Sequence, residues 1–444
     1  MVEPLPYQQD AIPHHVAVIQ RHGASLEASV AGFGKTYVAA FVAREMQHQL
    51  VVCCPKVTVP QWRDVCAAVG VPWRSISNYE DHKPPPRRRG AKITEHHRIG
   101  HTDMGRWEVW GRRWRWTFPR PTLLVLDEAD TCKDRHSHNS KLMVAARRQG
   151  IPTLAMSATI GQDPTDFFAA GYLLGLHAGT TEDFLAWSMR FGVRRGPFDW
   201  EFDPQADPTA LDRLNAELFP AHGHRKSYDQ IPGFPEERTD VLSVPSNPEA
   251  LTRIAGAWAK VEELEALADE APSAVVARLR ARQLAELAKV PGLIDLARQH
   301  VAAGAKVPIF VNFTATIDAL AEKLRWPIID GRHDDEDYRR DVVARFQADG
   351  LPGLLIQIRA GGVGISLHDT HGHFPRHSLI SPPDGARNLI QALGRNRRTG
   401  GKTPAFRTIV TLAGSVEARV HARVAAKAQQ IETINDGDLD PLFP

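Results

Sequence analysis

The stretch Ser29-Val30-Ala31-Gly32-Phe33-Gly34-Lys35-Thr36 constrains this chain more than any other. It spells [A/S]-x-x-G-x-G-K-T, a phosphate-binding loop. Gly32 and Gly34 permit a sharp turn that brings backbone N–H groups against phosphate oxygens. Lys35 places a point charge near β- and γ-phosphates, and the Thr36 hydroxyl is suited to hold Mg²⁺. Residues 37–49 read as a helix, whose positive N-terminus would face the phosphates. A bare G-x-G-K-T also arises as a plain turn before a helix, so the remaining sequence must support it.

Length and composition set the frame. At 444 residues the chain has room for two or three domains. Hydrophobic content of 43% and charged content of 24% match a globular protein in water. No apolar run approaches the ~20 residues that span a bilayer, and residues 1–10 lack the regions of a signal peptide. We therefore expect a cytoplasmic protein with no membrane partner. Cys53, Cys54, Cys66 and Cys132 lack C-x-x-C spacing, which predicts reduced thiols and neither zinc nor disulfides.

The net charge of +2 hides a local excess: residues 83–120 hold eleven Lys/Arg against three Asp/Glu. A positive patch on a near-neutral body suits a polyanion. Arg87, Arg88 and Arg89 follow three prolines. Further on, Trp107, Trp110, Trp114 and Trp116 sit among Arg106, Arg112, Arg113 and Arg115. Such a pattern either neutralises phosphates and stacks on bases or is an exposed basic loop whose tryptophans pack on the domain beneath.

In the first half, Gln8 lies 27 residues before Lys35, and an amide there can read adenine because it donates and accepts at once. Residues 50–54 form an apolar run suited to a buried parallel strand. Residues 73–80 read as another. Residues 122–130 are an apolar strand ending in Asp127-Glu128-Ala129-Asp130. An acidic pair there would lie at the carboxyl edge of a parallel sheet. Asp127 is expected to hold Mg²⁺ and Glu128 to orient or deprotonate the attacking water. A third strand, 153–156, leads into Ser157-Ala158-Thr159, whose hydroxyls are placed to bond the acidic loop.

In the second half, residues 245–298 repeat Leu and Ala at helical spacing, broken by Pro272 and Pro291. They read as packed helices. From residue 306, strands at 307–311, 328–329, 354–358, 378–380 and 407–412 alternate with helices, which predicts a second parallel sheet covered on both faces. It has no second G-K-T. Residues 359–367 carry Arg359 and three glycines, Gly361, Gly362 and Gly364, after a strand. Residues 391–398 carry Gln391, Arg395 and Arg398. The two arginines lie three apart, which on a helix gives one face. Alone, they read equally as a phosphate-directed pair or a basic helix end.

These motifs in this order resemble helicase superfamily two, and in detail its Snf-type branch of DNA translocases. The resemblance runs from Tyr7-Gln8 through the G-x-G-K-T loop, Cys54-Pro55 with Gln61-Trp62, and the Asp127-Glu128 box. It continues through Ser157-Ala158-Thr159, residues 160–176, Arg225-Lys226 before residues 229–232, and Ile309-Phe310 with Phe313. Residues 359–367 and Gln391 to Arg398 complete it. Two spellings depart from the branch: the acidic box ends in Asp130 where histidine is usual, and the third motif is Ser-Ala-Thr where G-T-P is usual.

The resemblance implies an α/β fold of two RecA-like, doubly wound parallel-sheet lobes flanking one ATP cleft. The first lobe would be 1–240 (with the basic insert 83–120), a helical connector 241–300, and the second lobe 301–444. It implies an ATP hydrolase using ATP and Mg²⁺. Catalysis falls to Lys35, Thr36, Asp127, Glu128, Arg395 and Arg398, the last two reaching the ATP. Nucleotide binding falls to Gln8, Ser29, Gly32, Phe33, Gly34, Lys35, Thr36, Gly362, Gly364 and Gln391. Thr36 and Asp127 would hold the metal. Contact with nucleic acid, or its coupling to ATP, is expected from Lys56, Tyr79, Arg87, Arg88, Arg89, Ser157, Thr159, Asn312, Thr314 and Arg359. The expected partner is DNA, duplex or single-stranded, with a loading or replication/repair protein as a further candidate; residues 369–383 resemble helicases of phages and mobile elements, which implies a prokaryotic or phage-infected cell. The leading reading is a translocating motor. A strand-separating DNA or RNA helicase and a nucleotide-switched clamp that does not step are the alternatives.

Overall fold

The structure is a computed structural model. It describes residues 2–84, 99–102, 104–108, 113–196, 200–267, 272–332, 335–361 and 364–436. Arg87, Arg88, Arg89 and Gly362 lie outside the described residues. The chain divides into two compact units. One is Met1–Pro232 together with Gln429–Asp440, and the other holds Gly233–Ala428.

The first unit is built on six parallel strands in the order Gly223–His224, Ala24–Glu27, Thr153–Met156, Thr122–Asp127, Gln49–Cys54, Trp73–Asn78. Its central strands are apolar because both faces are covered. Leu123 to Leu126 and Leu50 to Cys54 are all buried. Helix Ala11–His22 precedes the first strand, and helices Lys35–Glu45, Val59–Val69 and His138–Arg148 connect later ones.

Between the strands Trp73–Asn78 and Thr122–Asp127 sits an antiparallel three-stranded sheet of Ile99–Thr102, Gly105–Glu108 and Arg113–Trp116. Its tryptophans face inward: Trp107, Trp114 and Trp116 join the unit's main core. The packing alternative for the basic insert therefore accounts for these three. Trp110 lies outside the described residues.

Residues 429–436 belong to this unit. Asp436 and Glu432 pair with the buried Arg225, Ile434 lies in the core, and the Asn435 amide donates to the Ala158 carbonyl at 2.9 Å.

The second unit repeats the plan. Six parallel strands run in the order Glu237–Val244, Ala405–Leu412, Arg376–Ile380, Val307–Val311, Gly353–Gln357, Ile328–Ile329. Helices Pro248–Leu267, Pro272–Ala288 and Val290–Ala302, from the region expected as a connector, belong to this unit. Pro272 opens one and Pro291 lies in the first turn of another, where the missing N–H costs nothing. Buried Lys289 donates to Glu417 at 2.9 Å and Ser381 at 2.8 Å, tying these helices to the sheet. Both units are thus RecA-like parallel α/β layers.

Candidate active site

Sheet order dictates the site. The strand Ala24–Glu27 ends in the phosphate loop and Thr122–Asp127 ends in the acidic pair. One strand, Thr153–Met156, lies between them and ends in Ser157-Ala158-Thr159. All three are parallel, so the three motifs emerge at one carboxyl edge. Two strand spacings put the loop and the acidic pair roughly 10 Å apart.

Gly32 and Gly34 have φ of 88° and 91°, the left-handed region that glycine enters without strain. Gly34 has a further reason to lack a side chain. A Cβ there would run into the amide of Gln8. That amide donates to the Phe33 carbonyl at 2.8 Å and accepts from the Leu5 N–H at 3.1 Å. Gln8 is thus buried as a brace of the loop, a role the adenine reading did not anticipate. Phe33 is fully buried against Tyr7 and His224, so only its backbone faces the loop. Lys35 opens the helix Lys35–Glu45 and donates to the Ser29 and Val30 carbonyls at 2.7 and 3.2 Å. Thr36 follows in the helix's first turn, partly exposed.

The loop's root is tied to a buried charge. Glu27 accepts from the Ser29 N–H at 2.7 Å and from His15 at 2.9 Å, with His224 at 3.4 Å. Burial pushes this carboxyl up, but the two histidine bonds win and hold it well below the usual carboxylate range. Arg225 adds a bond to the Ala28 carbonyl, and Lys226 N–H donates to Ser29 Oγ at 3.0 Å.

Asp127 is held by Trp62, whose indole donates to Oδ2 at 2.9 Å, and by the Glu128 N–H on Oδ1 at 3.1 Å. Tyr79 is buried and its hydroxyl donates to the Asp127 carbonyl at 2.9 Å. Its side chain therefore serves the acidic box. Glu128 sits at φ 52°, ψ 52°, a left-handed conformation unusual for a residue with a side chain. Thr159 donates to Asp130 at 3.2 Å. The expected link between third motif and acidic loop is present, with Asp130 as the partner.

Burial raises the Asp127 pKa and the neighbouring Glu128 charge raises it further. The Trp62 bond and the Lys35 charge oppose them, leaving it pushed up to about 7. A divalent cation binds the ionised carboxylate, so protonation competes with it. Mg²⁺ affinity is expected to fall as pH drops through about 7, approaching roughly tenfold per pH unit on the acid side. Trp62→Phe removes a bond that favours the ionised form and should move the midpoint upward. Calorimetric Mg²⁺–nucleotide titrations across that range check this; affinity independent of pH would refute it.

These residues fit a nucleoside triphosphate with a divalent cation. The loop is shaped by two glycines, a lysine lies within it, and a carboxylate stands at the same edge under that lysine's charge. Thr36 and Asp127 would hold the cation.

The family model described as DEAD/DEAH box helicase matches residues 5–167. Over residues 5–167 the chain is therefore similar to that helicase domain. A protein of Acanthamoeba polyphaga mimivirus, provisionally named an ATP-dependent RNA helicase, is 29% identical over 98% of this chain and 84% of its own length. Among solved structures, the Sulfolobus solfataricus SWI2/SNF2 ATPase core in complex with dsDNA covers 98% of this chain and 94% of that one. The two share 15% identity with a TM-score of 0.37. No described helix is long and apolar enough to cross a membrane.

The other predicted residues lie as follows. Lys56 is exposed just beyond the strand Gln49–Cys54, and Ser157 is buried with its Oγ accepting from the Thr159 N–H at 3.0 Å. In the second unit Asn312 donates to Glu286 at 2.6 Å and to the Pro382 carbonyl at 3.1 Å, so its side chain fixes the end of its strand. Thr314 is exposed and opens a helix. Arg359 is exposed and pairs with Asp384 at 2.8 Å. Gly364 has φ 78°, and Gln391 is partly buried in the helix Ala386–Leu393.

That helix ends before Arg395. The argument from helical spacing for Arg395 and Arg398 is therefore corrected: both lie in the turn beyond the helix. Gly394 is the cap, and the Arg395 carbonyl accepts from Leu367 N–H at 2.8 Å. Arg395 is buried and Arg398 half-buried. Burial and the charges of Arg398 and Arg376 push the neighbouring His368 down to about 4.

Sequence reasoning assigned no role to Trp62, Glu27 or Arg225. Trp62 had a signal in the Gln61-Trp62 pair. Glu27 gave none, since a lone glutamate at a strand end is ordinarily exposed.

Proposed function

We propose that this protein is an ATP-dependent nucleic-acid motor that converts ATP hydrolysis into movement along DNA. The observation that carries the reading is the single sheet edge on which Lys35, the Asp127-Glu128 pair and the Thr159–Asp130 bond emerge together. Lys35 would turn from the Ser29 and Val30 carbonyls to the β- and γ-phosphates. Glu128 would orient the attacking water and accept its proton. Mg²⁺, when bound at Thr36 and Asp127, neutralises charge that develops on the transferring phosphate. Arg395 and Arg398 are proposed to add guanidinium charge to the same phosphate. The Thr159–Asp130 bond offers a way to pass the state of the acidic loop to the third motif and to Ala158, whose carbonyl holds Asn435.

Contacts to nucleic acid would be mostly to backbone phosphate, hence salt-sensitive and weakly sequence-specific. The name of the mimivirus relative favours a second reading, an RNA helicase. Turnover with duplex DNA, single-stranded DNA and RNA, measured side by side, decides. We expect duplex DNA to stimulate most. Stimulation by RNA alone moves the assignment to the second reading. Slow turnover that no nucleic acid stimulates removes the motor and leaves a switched clamp.

A further inference from the structure

The first unit has a second cationic feature away from the phosphate loop. The strand Arg113–Trp116 alternates strictly, with Arg113 and Arg115 outward and Trp114 and Trp116 inward. With residues of the helix His138–Arg148 and the turn before it, the outward arginines bound one cavity. Arg113, Arg115, Arg135, Lys141 and Arg148 line a cavity of about 390 Å³ in which, among the described residues, Glu108 is the one acidic lining residue. Glu108 is shared by Arg106 at 3.4 Å and Arg115 at 3.8 Å. Five cations around one carboxylate repel each other, and an anion placed among them relieves that cost.

The walls are fixed. The Gln149 amide bonds both backbone groups of Trp116, at 2.9 and 3.0 Å. The Trp116 indole donates to the Leu142 carbonyl at 3.1 Å, and the Trp107 indole to the His82 carbonyl at 2.5 Å. The cations thus stand on a braced sheet and helix, which lowers the ordering cost of binding.

We propose that this cavity holds successive backbone phosphates of the nucleic acid on which the motor acts. The proposal rests on the nucleic-acid reading above and adds a site to it. Two observations favour a phosphodiester backbone. Trp114 and Trp116 are buried, so the arginines offer charge without an aromatic platform for a base. Arg113 and Arg115 are two strand residues apart, about 7 Å, comparable with the separation of neighbouring phosphates along one strand. The insert therefore adds affinity and salt dependence without sequence preference.

The test is the double substitution Arg113→Glu, Arg148→Glu, with Arg113→Gln, Arg148→Gln as the milder pair, in the full chain. Both side chains are exposed, so melting and binding of a fluorescent ATP analogue should match wild type. Nucleic-acid affinity should fall about tenfold or more. The slope of log affinity against log salt should lose roughly two, one per phosphate contact. Unchanged affinity and slope in a wild type that binds nucleic acid would overturn the proposal. If wild type binds no nucleic acid, the motor reading itself fails. Inorganic tripolyphosphate is then titrated into Lys35→Ala protein. Binding that the double substitution abolishes reassigns the cavity to a small polyphosphate and overturns the nucleic-acid proposal. No binding overturns it as an anion site.

Discussion

Glu128→Gln is expected to stop ATP turnover while leaving nucleotide and nucleic-acid binding in place. The amide keeps the volume and the left-handed backbone at φ 52° but removes the proton acceptor. A positioned general base contributes about 10²–10⁴ in rate, so we expect a loss of roughly three orders of magnitude or more. Lys35→Ala should lose as much and weaken nucleotide binding as well, because it removes charge that meets ground-state phosphates. Phosphate release and equilibrium binding of labelled nucleotide and DNA separate the two. Turnover of Glu128→Gln within tenfold of wild type would sink the assignment of this carboxylate.

Arg398→Ala is expected to cost nearly as much by another route. A guanidinium that counters charge on the transferring phosphate is worth about 10³–10⁵ in rate. The loss should appear in kcat, with nucleotide affinity held within a few-fold. Arg395 is buried, so Arg395→Lys, which keeps the charge but not the planar fork, is the sounder probe there. Unchanged kcat in Arg398→Ala, with melting as in wild type, would assign this arginine to the structure of its turn.

Much of this was legible from residues alone. The strands Thr153–Met156 and Val307–Val311 fall where their apolar runs placed them, because a strand covered on both faces needs an unbroken apolar stretch. The phosphate loop was legible because its glycines and lysine answer to one geometry. The insert was harder. Its Arg-Trp-Arg-Trp run has the period of a half-buried strand, but dense charge and nearby prolines invited a loop reading. The arginine pair misled in the other direction. Helical spacing was extrapolated past Leu393, and Gly394 stops the helix one residue before Arg395. Gln8, Tyr79 and Asn312 share one lesson. An amide or phenol near a motif satisfies backbone partners when buried, and sequence alone does not reveal which groups lie within reach.

The Arg225 cluster bears on how this molecule may be dissected. Its carboxylates arrive from residues 429–436, some two hundred positions downstream, with Ile434 filling the core beside them. A fragment cut after Pro232 would leave a guanidinium stranded at the root of the phosphate loop and a hole where an isoleucine belongs. Anyone wishing to isolate the nucleotide-binding half must graft that distant peptide back on, since the primary structure interrupts a module that the folded molecule keeps whole.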